Sequence, residues 1–105
     1  MEHGHIKVIM RVTALPGEDV LLEHQLRALM PPTLEEAGCI SCELLRHQLD
    51  RTEFVLIEVW EDNGCADAHF ESPHFKQTLT DTQELLACIP DIRRYGIVKD
   101  KPLNA

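Results

Sequence analysis

The segment Glu53-Phe54-Val55-Leu56-Ile57-Glu58-Val59-Trp60-Glu61 constrains the fold more than any other part of the chain. Its β-branched and aromatic residues read as a strand. Side chains alternate along a strand, so Phe54, Leu56, Glu58 and Trp60 share one face while Val55, Ile57 and Val59 share the other. Both faces are largely apolar. At 105 residues the chain is sized for one domain, and a two-layer domain of that size covers only one sheet face with helices. The second apolar face calls for a partner, and a second copy of the chain docked sheet to sheet supplies it. A homodimer is the expectation.

The rest of the sequence supplies the other elements of such a domain. His5 to Ala14 reads as a first strand, ended by Pro16-Gly17. Glu18 and Asp19 suit the positive end of a helix, and Leu22, Leu26, Leu29 and Met30 recur at helical spacing. Pro31-Pro32 predicts a break or kink, because proline lacks the backbone donor and clashes with the preceding turn. A short second helical piece from Leu34 to Ala37, closed by Gly38, is expected to follow. Cys39 to Gln48 and Glu53 to Glu61 form an antiparallel hairpin across Asp50-Arg51-Thr52.

Beyond Asp62, one short helix carries Ala66, Ala68, His69 and Phe70. Ser72-Pro73 opens the next as cap and first-turn proline, with Phe75, Leu79, Thr82 and Leu86 as its inward stripe. Asp91 to Lys99, with Tyr95, Ile97 and Val98, is a fourth strand. The order β-α-β-β-α-β is the split arrangement of a ferredoxin-like α+β fold. Residues 1–105 make a single domain, with an ordered core over about 5–99 and an irregular tail over 100–105.

Composition narrows the function classes. Ten basic residues against 18 acidic ones give a net charge of −8. That balance repels phosphate backbones and anionic lipid, and the basic residues are scattered apart from Arg93-Arg94. Neither nucleic acid nor a membrane is an expected partner. The longest apolar runs fall far short of the ~20 residues a membrane span needs. Met1-Glu2-His3-Gly4-His5 lacks the basic and apolar segments of a secretory signal, so a cytoplasmic location is expected.

Cys39 and Cys42 have C-x-x-C spacing, but strand alternation points them to opposite faces, and no second C-x-x-C or paired histidine completes a zinc site. Buried, reduced thiols are the expectation for Cys39, Cys42, Cys65 and Cys88, and no metal or cofactor is expected.

The residues able to carry chemistry cluster late in the chain. Of the six histidines, His3, His5, His24 and His47 read as terminal or solvated. His69 and His74 flank the compact segment His69-Phe70-Glu71-Ser72-Pro73-His74-Phe75, expected over the end of the third strand. Imidazole is the side chain whose ordinary pKa permits proton exchange near neutrality. Either His69 is a hydrogen-bonded structural histidine or it handles protons; for His74 the structural reading leads. Glu58, inside a strand, needs a partner such as His69 or Arg46, since an unpaired buried carboxylate is costly. Glu43 and Arg46 lie on opposite faces of the neighbouring strand. No Gly-rich phosphate loop, nucleophile elbow or Walker-like lysine is present.

Pro16-Gly17, Glu36-Ala37-Gly38-Cys39-Ile40, Phe54 to Asp62, Ala68-His69 and Ser72-Pro73-His74-Phe75, in that order, resemble the antibiotic-biosynthesis monooxygenase family, in particular its branch of small quinol monooxygenases. The resemblance implies a dimeric α+β barrel with one pocket per subunit. It also implies cofactor-independent oxygenation of an electron-rich aromatic, with O₂ as co-substrate. Carried onto this sequence, His69 becomes the base, oriented or charge-balanced by Glu58. Phe54, Trp60, Phe70, His74 and Phe75 become substrate-binding residues. Two features depart from the family: position 42 is Cys where relatives often have an aromatic, and the asparagine of haem-degrading and anthrone-oxidising relatives has no counterpart on the first or third strand. A proton-transfer isomerase of a small carbonyl compound and a non-catalytic binding module remain alternatives, since fold membership does not fix a reaction.

Overall fold

The computed structural model describes residues 4–98. Four strands form one antiparallel sheet: β1 (Ile6–Thr13), β2 (Cys39–Arg46), β3 (Glu53–Trp60) and β4 (Asp91–Gly96), in the order β2-β3-β1-β4. Helix α1 (Asp19–Leu34) links β1 to β2. The second crossover is split into α2 (Asn63–Phe70), α3 (Pro73–Thr82) and a 3₁₀ turn at Gln83–Leu85. This is the ferredoxin-like α+β arrangement read from the sequence. Fourth-strand pairing stops at Gly96, short of Ile97 and Val98; the expected end at Lys99 and the tail 100–105 lie outside the described residues.

The core forms where the sheet meets the helices. Met10, Val12 and Ala14 of the first strand region, Leu22, Leu26 and Leu29 of α1, Phe54 and Leu56 of β3 and Phe75 of α3 make one buried cluster. Val8, Trp60 and Ala66 make a second, smaller one. Each fully buried Leu or Phe stabilises the fold by roughly 1.5–3 kcal/mol, so these two clusters dominate the favourable side of folding. Leu79 and Leu86 of the expected stripe are partly buried against the larger cluster, though Leu86 lies beyond α3 and bridges to Ala14. Ile9, Val55, Ile57 and Val59 lie on the opposite sheet face and are only half-buried.

Two expectations are corrected. Helix α1 continues unbroken through Pro31-Pro32 to Leu34, with no second helical piece behind it. Both prolines sit in its last turn, and the carbonyls they leave without donors belong to Arg27 and Ala28, both exposed. Water can satisfy those groups. The core stripe meanwhile continues past the prolines: Thr33 is fully buried, and its hydroxyl donates to the Leu29 carbonyl at 2.8 Å.

The second correction concerns the C-x-x-C pair. A bulge at Ile40 shifts the register, so Cys39 lies opposite Trp60 and Cys42 opposite Glu58. Partners across a ladder share a face. Both thiols are therefore on the helix-covered side, not on opposite faces. They are free and half-buried. Burial, reinforced by Glu58, pushes Cys39 up to about 11 and Cys42 up to about 12, so neither is a ready thiolate.

Gly38 turns the chain into β2 with a φ of 82°, and a Cβ there would meet the Cys65 Sγ at 2.2 Å. Gly17 has a φ of 84° but open space around it. Gly17→Ala should therefore cost only the left-handed strain, about 1–2 kcal/mol. Gly38→Ala adds an overlap against Cys65 and should cost about 2–4 kcal/mol. Urea denaturation of the two variants side by side checks that ranking.

Candidate functional site

Glu58 is the third of four inward side chains on β3 and only 3% exposed. Two residues on, the Trp60 indole N–H donates to its Oε1 at 3.0 Å. Its other oxygen, Oε2, lies 3.5 Å from His69 Nε2. His69 stands in the last turn of α2, whose start is fixed by the Asp62 side chain accepting from the Cys65 backbone N–H at 2.9 Å. From there the imidazole is pressed among Trp60, Phe70 and Phe75, with ring centroids 5.0–5.2 Å away. None of its surface is exposed.

The far side of that ring meets a residue the sequence reading did not single out as functional. His69 Nδ1 lies 2.8 Å from Oε2 of Glu36, in the turn between α1 and β2. The same oxygen contacts His74 Nε2. His74 is held in the first turn of α3 by the Ser72 cap and Pro73. A continuous chain thus runs Trp60–Glu58–His69–Glu36–His74, from the interior to the half-exposed His74 side chain. Glu36 had one sequence signal: it stands two residues before the turn glycine Gly38. Nothing local says which way it points, because its partners are 33 and 38 residues away.

Burial pushes the Glu58 carboxyl up; the neighbouring His69 and the Trp60 hydrogen bond pull it back only in part. The magnitudes agree with that direction. Moving a carboxylate out of water costs several kcal/mol, whereas a hydrogen bond to a charged group returns about 1.5–3 kcal/mol. Because Trp60 occupies Oε1, Oε2 is the oxygen that faces His69 Nε2. When His69 donates through Nδ1 to Glu36, Nε2 is left an acceptor, and it has no hydrogen-bond partner among the described residues. The site is a buried acid–base pair with room for one shared proton.

His69, Glu58, Trp60, Phe70, His74 and Phe75 are brought together as expected from the sequence. Phe54 is not. It lies four residues back along β3, roughly 13 Å away at ~3.3 Å per residue. There it lines a cleft of about 320 Å³ with Met30, Leu44, Glu23, Arg27 and Arg46. Arg46 stacks over the Phe54 ring at 5.9 Å and pairs with Glu23 at 3.3 Å. It does not reach Glu58, which removes it as that carboxylate's partner. Cys42 lies between cleft and pair, opposite Glu58 and next to Leu44 on the same face.

A raised carboxyl in the fold means that the native state binds more protons than the unfolded chain. Stability is then lost as pH rises from the ordinary glutamate range through the folded value. Glu58→Gln keeps the shape without that titration. Its stability relative to wild type should therefore improve as pH is raised from 4 to 7. Thermal melts of both proteins across that range measure the difference, and a constant gap would refute the raised carboxyl.

Three kinds of comparison bear on this geometry. The sequence pattern of the antibiotic biosynthesis monooxygenase family matches residues 5–81. The crystal structure of PA3566 from Pseudomonas aeruginosa is 30% identical, with a TM-score of 0.85 over 91% of this chain and 96% of that one. Rv0793 from Mycobacterium tuberculosis is 26% identical, with a TM-score of 0.87 over 93% of this chain and 99% of its own. The uncharacterized protein sll1783 of Synechocystis is 29% identical over 77 residues, which is 73% of this chain but 52% of that protein. This chain thus spans about half the length of that relative. Among the described residues no helix is long and apolar enough to cross a membrane. With its split β-α-β-β-α-β sheet and a matching pattern over most of its length, the chain belongs to the antibiotic biosynthesis monooxygenase family.

Proposed function

We propose that the protein is a cofactor-independent monooxygenase acting on a quinol-like or polyphenolic small molecule, and that it works as a homodimer. The observation that carries this reading is the buried Glu58–His69 pair. A quinol must lose a proton before it can reduce O₂, and a base kept in a dry aromatic enclosure is suited to take it. His69 Nε2, aimed at Glu58 and lacking a donor, is the acceptor; Glu58 balances the charge as the imidazolium forms. The quinol anion then passes an electron to O₂, the two radicals join as a ring peroxide anion, and the imidazolium returns its proton to give the hydroperoxide. Loss of water leaves one oxygen atom on the ring, so that hydroquinone and O₂ give a hydroxyquinone and water.

The cleft beside Phe54, Met30 and Leu44, flanked by Glu23, Arg27 and Arg46, offers a seat with an apolar floor and charged sides on the covered side of the sheet. Its distance from Glu58 favours a substrate of several fused rings over a single ring. Cys42, small where relatives often carry an aromatic, stands between them on the same face and would obstruct a substrate that spans both less than an aromatic would. Trp60, Phe70 and Phe75 then wall the reacting end, with His74 at its outer edge. The second copy would cover the half-buried face of Ile9, Val55, Ile57 and Val59.

Oxygen uptake by chelator-treated protein with a panel of hydroquinones and polycyclic phenols tests the reading. Uptake should exceed buffer autoxidation and fall at least 100-fold in His69→Ala. His69→Gln, of similar size, guards against simple unfolding, and circular dichroism checks both variants. Cys42→Phe should suppress uptake of polycyclic phenols more than that of single-ring quinols. No uptake with any of these compounds by folded wild type overturns the monooxygenase proposal. Separately, light scattering after size exclusion should give twice the chain mass; a monomer removes the homodimer.

A further inference from the structure

We propose that Glu36, His69 and His74 form a binding site for a divalent transition-metal ion of the zinc class. Glu36 Oε2, His69 Nδ1 and His74 Nε2 lie within 4.8 Å of one another. Two imidazoles and one carboxylate are a ligand set that zinc-class ions accept, at about 2.0–2.2 Å from each donor atom. The 2.8 Å between His69 Nδ1 and Glu36 Oε2 asks the carboxylate to withdraw by roughly half an ångström to reach the spacing of a tetrahedral site. Glu36 can give that much. It stands in a turn and not in a regular element, and its side chain is 15% exposed. His74, 29% exposed, gives the ion a way in from solvent and leaves room for water as a fourth ligand.

The second observation lies behind His69. Metal-bound histidines usually donate their other ring N–H to a carboxylate, which fixes the tautomer and aims the lone pair at the ion. Here Glu58 Oε2 faces His69 Nε2 at 3.5 Å, and Trp60 holds Glu58 from behind at 3.0 Å. Without an ion, the Nδ1 contact to Glu36 requires the proton on Nδ1 and leaves Nε2 a fully buried nitrogen without a partner among the described residues. With an ion on Nδ1, the proton moves to Nε2 and faces the carboxylate. One tautomer exchange thereby gives the orphaned nitrogen a donor role. The aromatic packing of Trp60, Phe70 and Phe75 fixes the ring plane beforehand.

The ion would come at the expense of the proposed catalysis, a consequence that rests on the monooxygenase reading. Nε2 cannot carry the proton for the metal-bound tautomer and also accept one from a quinol, so a loaded site should suppress quinol-dependent O₂ uptake.

The binding test is independent of any activity. Chelator-stripped full-length protein is titrated with Zn²⁺ by calorimetry and with Co²⁺ by visible absorption. The expected result is one ion per chain in the His3→Ala/His5→Ala background, which removes the N-terminal histidines as competing ligands. Glu36→Gln and His74→Ala should each weaken binding at least 10-fold, and Glu58→Gln should weaken it by about 10–100-fold by loosening His69. His24→Ala should change nothing. Folding of every variant is checked by circular dichroism, and His74, being half-exposed, can be removed with the least damage to packing.

Absence of stoichiometric binding at micromolar Zn²⁺, or equal binding by the Glu36→Gln and His74→Ala proteins, overturns the site. If Zn²⁺ loads the site but leaves quinol-dependent uptake unchanged, the ion site stands and the base role of His69 falls. If no uptake exists to suppress, binding alone decides.

Discussion

Burial of one carboxylate organises this molecule. Glu58 sits in the middle strand pair of the sheet, where its neighbours Leu56 and Trp60 are essentially without exposure, and an unpaired charge there would cost several kcal/mol. The cost is met from two directions at once, by the indole of Trp60 on the same strand and the imidazole of His69 on α2. Each of those partners is held by the core that surrounds it. The pair therefore links α2 to β3, and the split of the second crossover at the Ser72 cap and Pro73 leaves His69 and His74 both against Glu36.

The same arrangement explains why the site is coupled to folding. His69 is part of the packing, in contact with three aromatic rings, and part of a polar network, with a carboxylate at each nitrogen. A half-satisfied polar network in a low-dielectric interior is costly, and a satisfied one is rigid. This network is nearly closed: one nitrogen, Nε2, is left over. Rigid surroundings and a single spare proton position are what general acid–base chemistry needs. They are equally what preorganised metal ligation needs. The two proposed roles differ in where one proton sits.

Surface charge plays a smaller part. Arg94 reaches Asp67 at 2.7 Å and Arg11 reaches Asp91 at 3.4 Å, but solvent screens such exposed pairs and they add little to stability. The stronger constraint on the outside is the half-buried face of Ile9, Val55, Ile57 and Val59, set by the alternation of the same β3 residues that buries Glu58 on the other side. One strand thus supplies both the site and the face proposed for the partner copy.

The element order, the inward set Phe54-Leu56-Glu58-Trp60, the Ser72-Pro73 cap and the need of Glu58 for a partner were legible in the sequence, because periodicity, capping and the cost of a buried charge act over a few residues or one strand; the choice of His69 over Arg46 as that partner was made by the tertiary structure. The fate of Pro31-Pro32 was not. Local propensity argues for a break, and the tertiary stripe through Thr33 with solvated carbonyls at Arg27 and Ala28 overrides it. Likewise the bulge at Ile40, which turns Cys39 and Cys42 to one face, arises from register against β3 and leaves no mark in the local pattern. Glu36 is the clearest case. A glutamate in a turn is ordinary as sequence, and only the folding of α2 and α3 over β3 brings two histidines more than thirty residues away onto one of its oxygens. Sequence determined the elements and their apolar faces; long-range packing decided the site, because its residues come from four separate elements that meet only when the core closes.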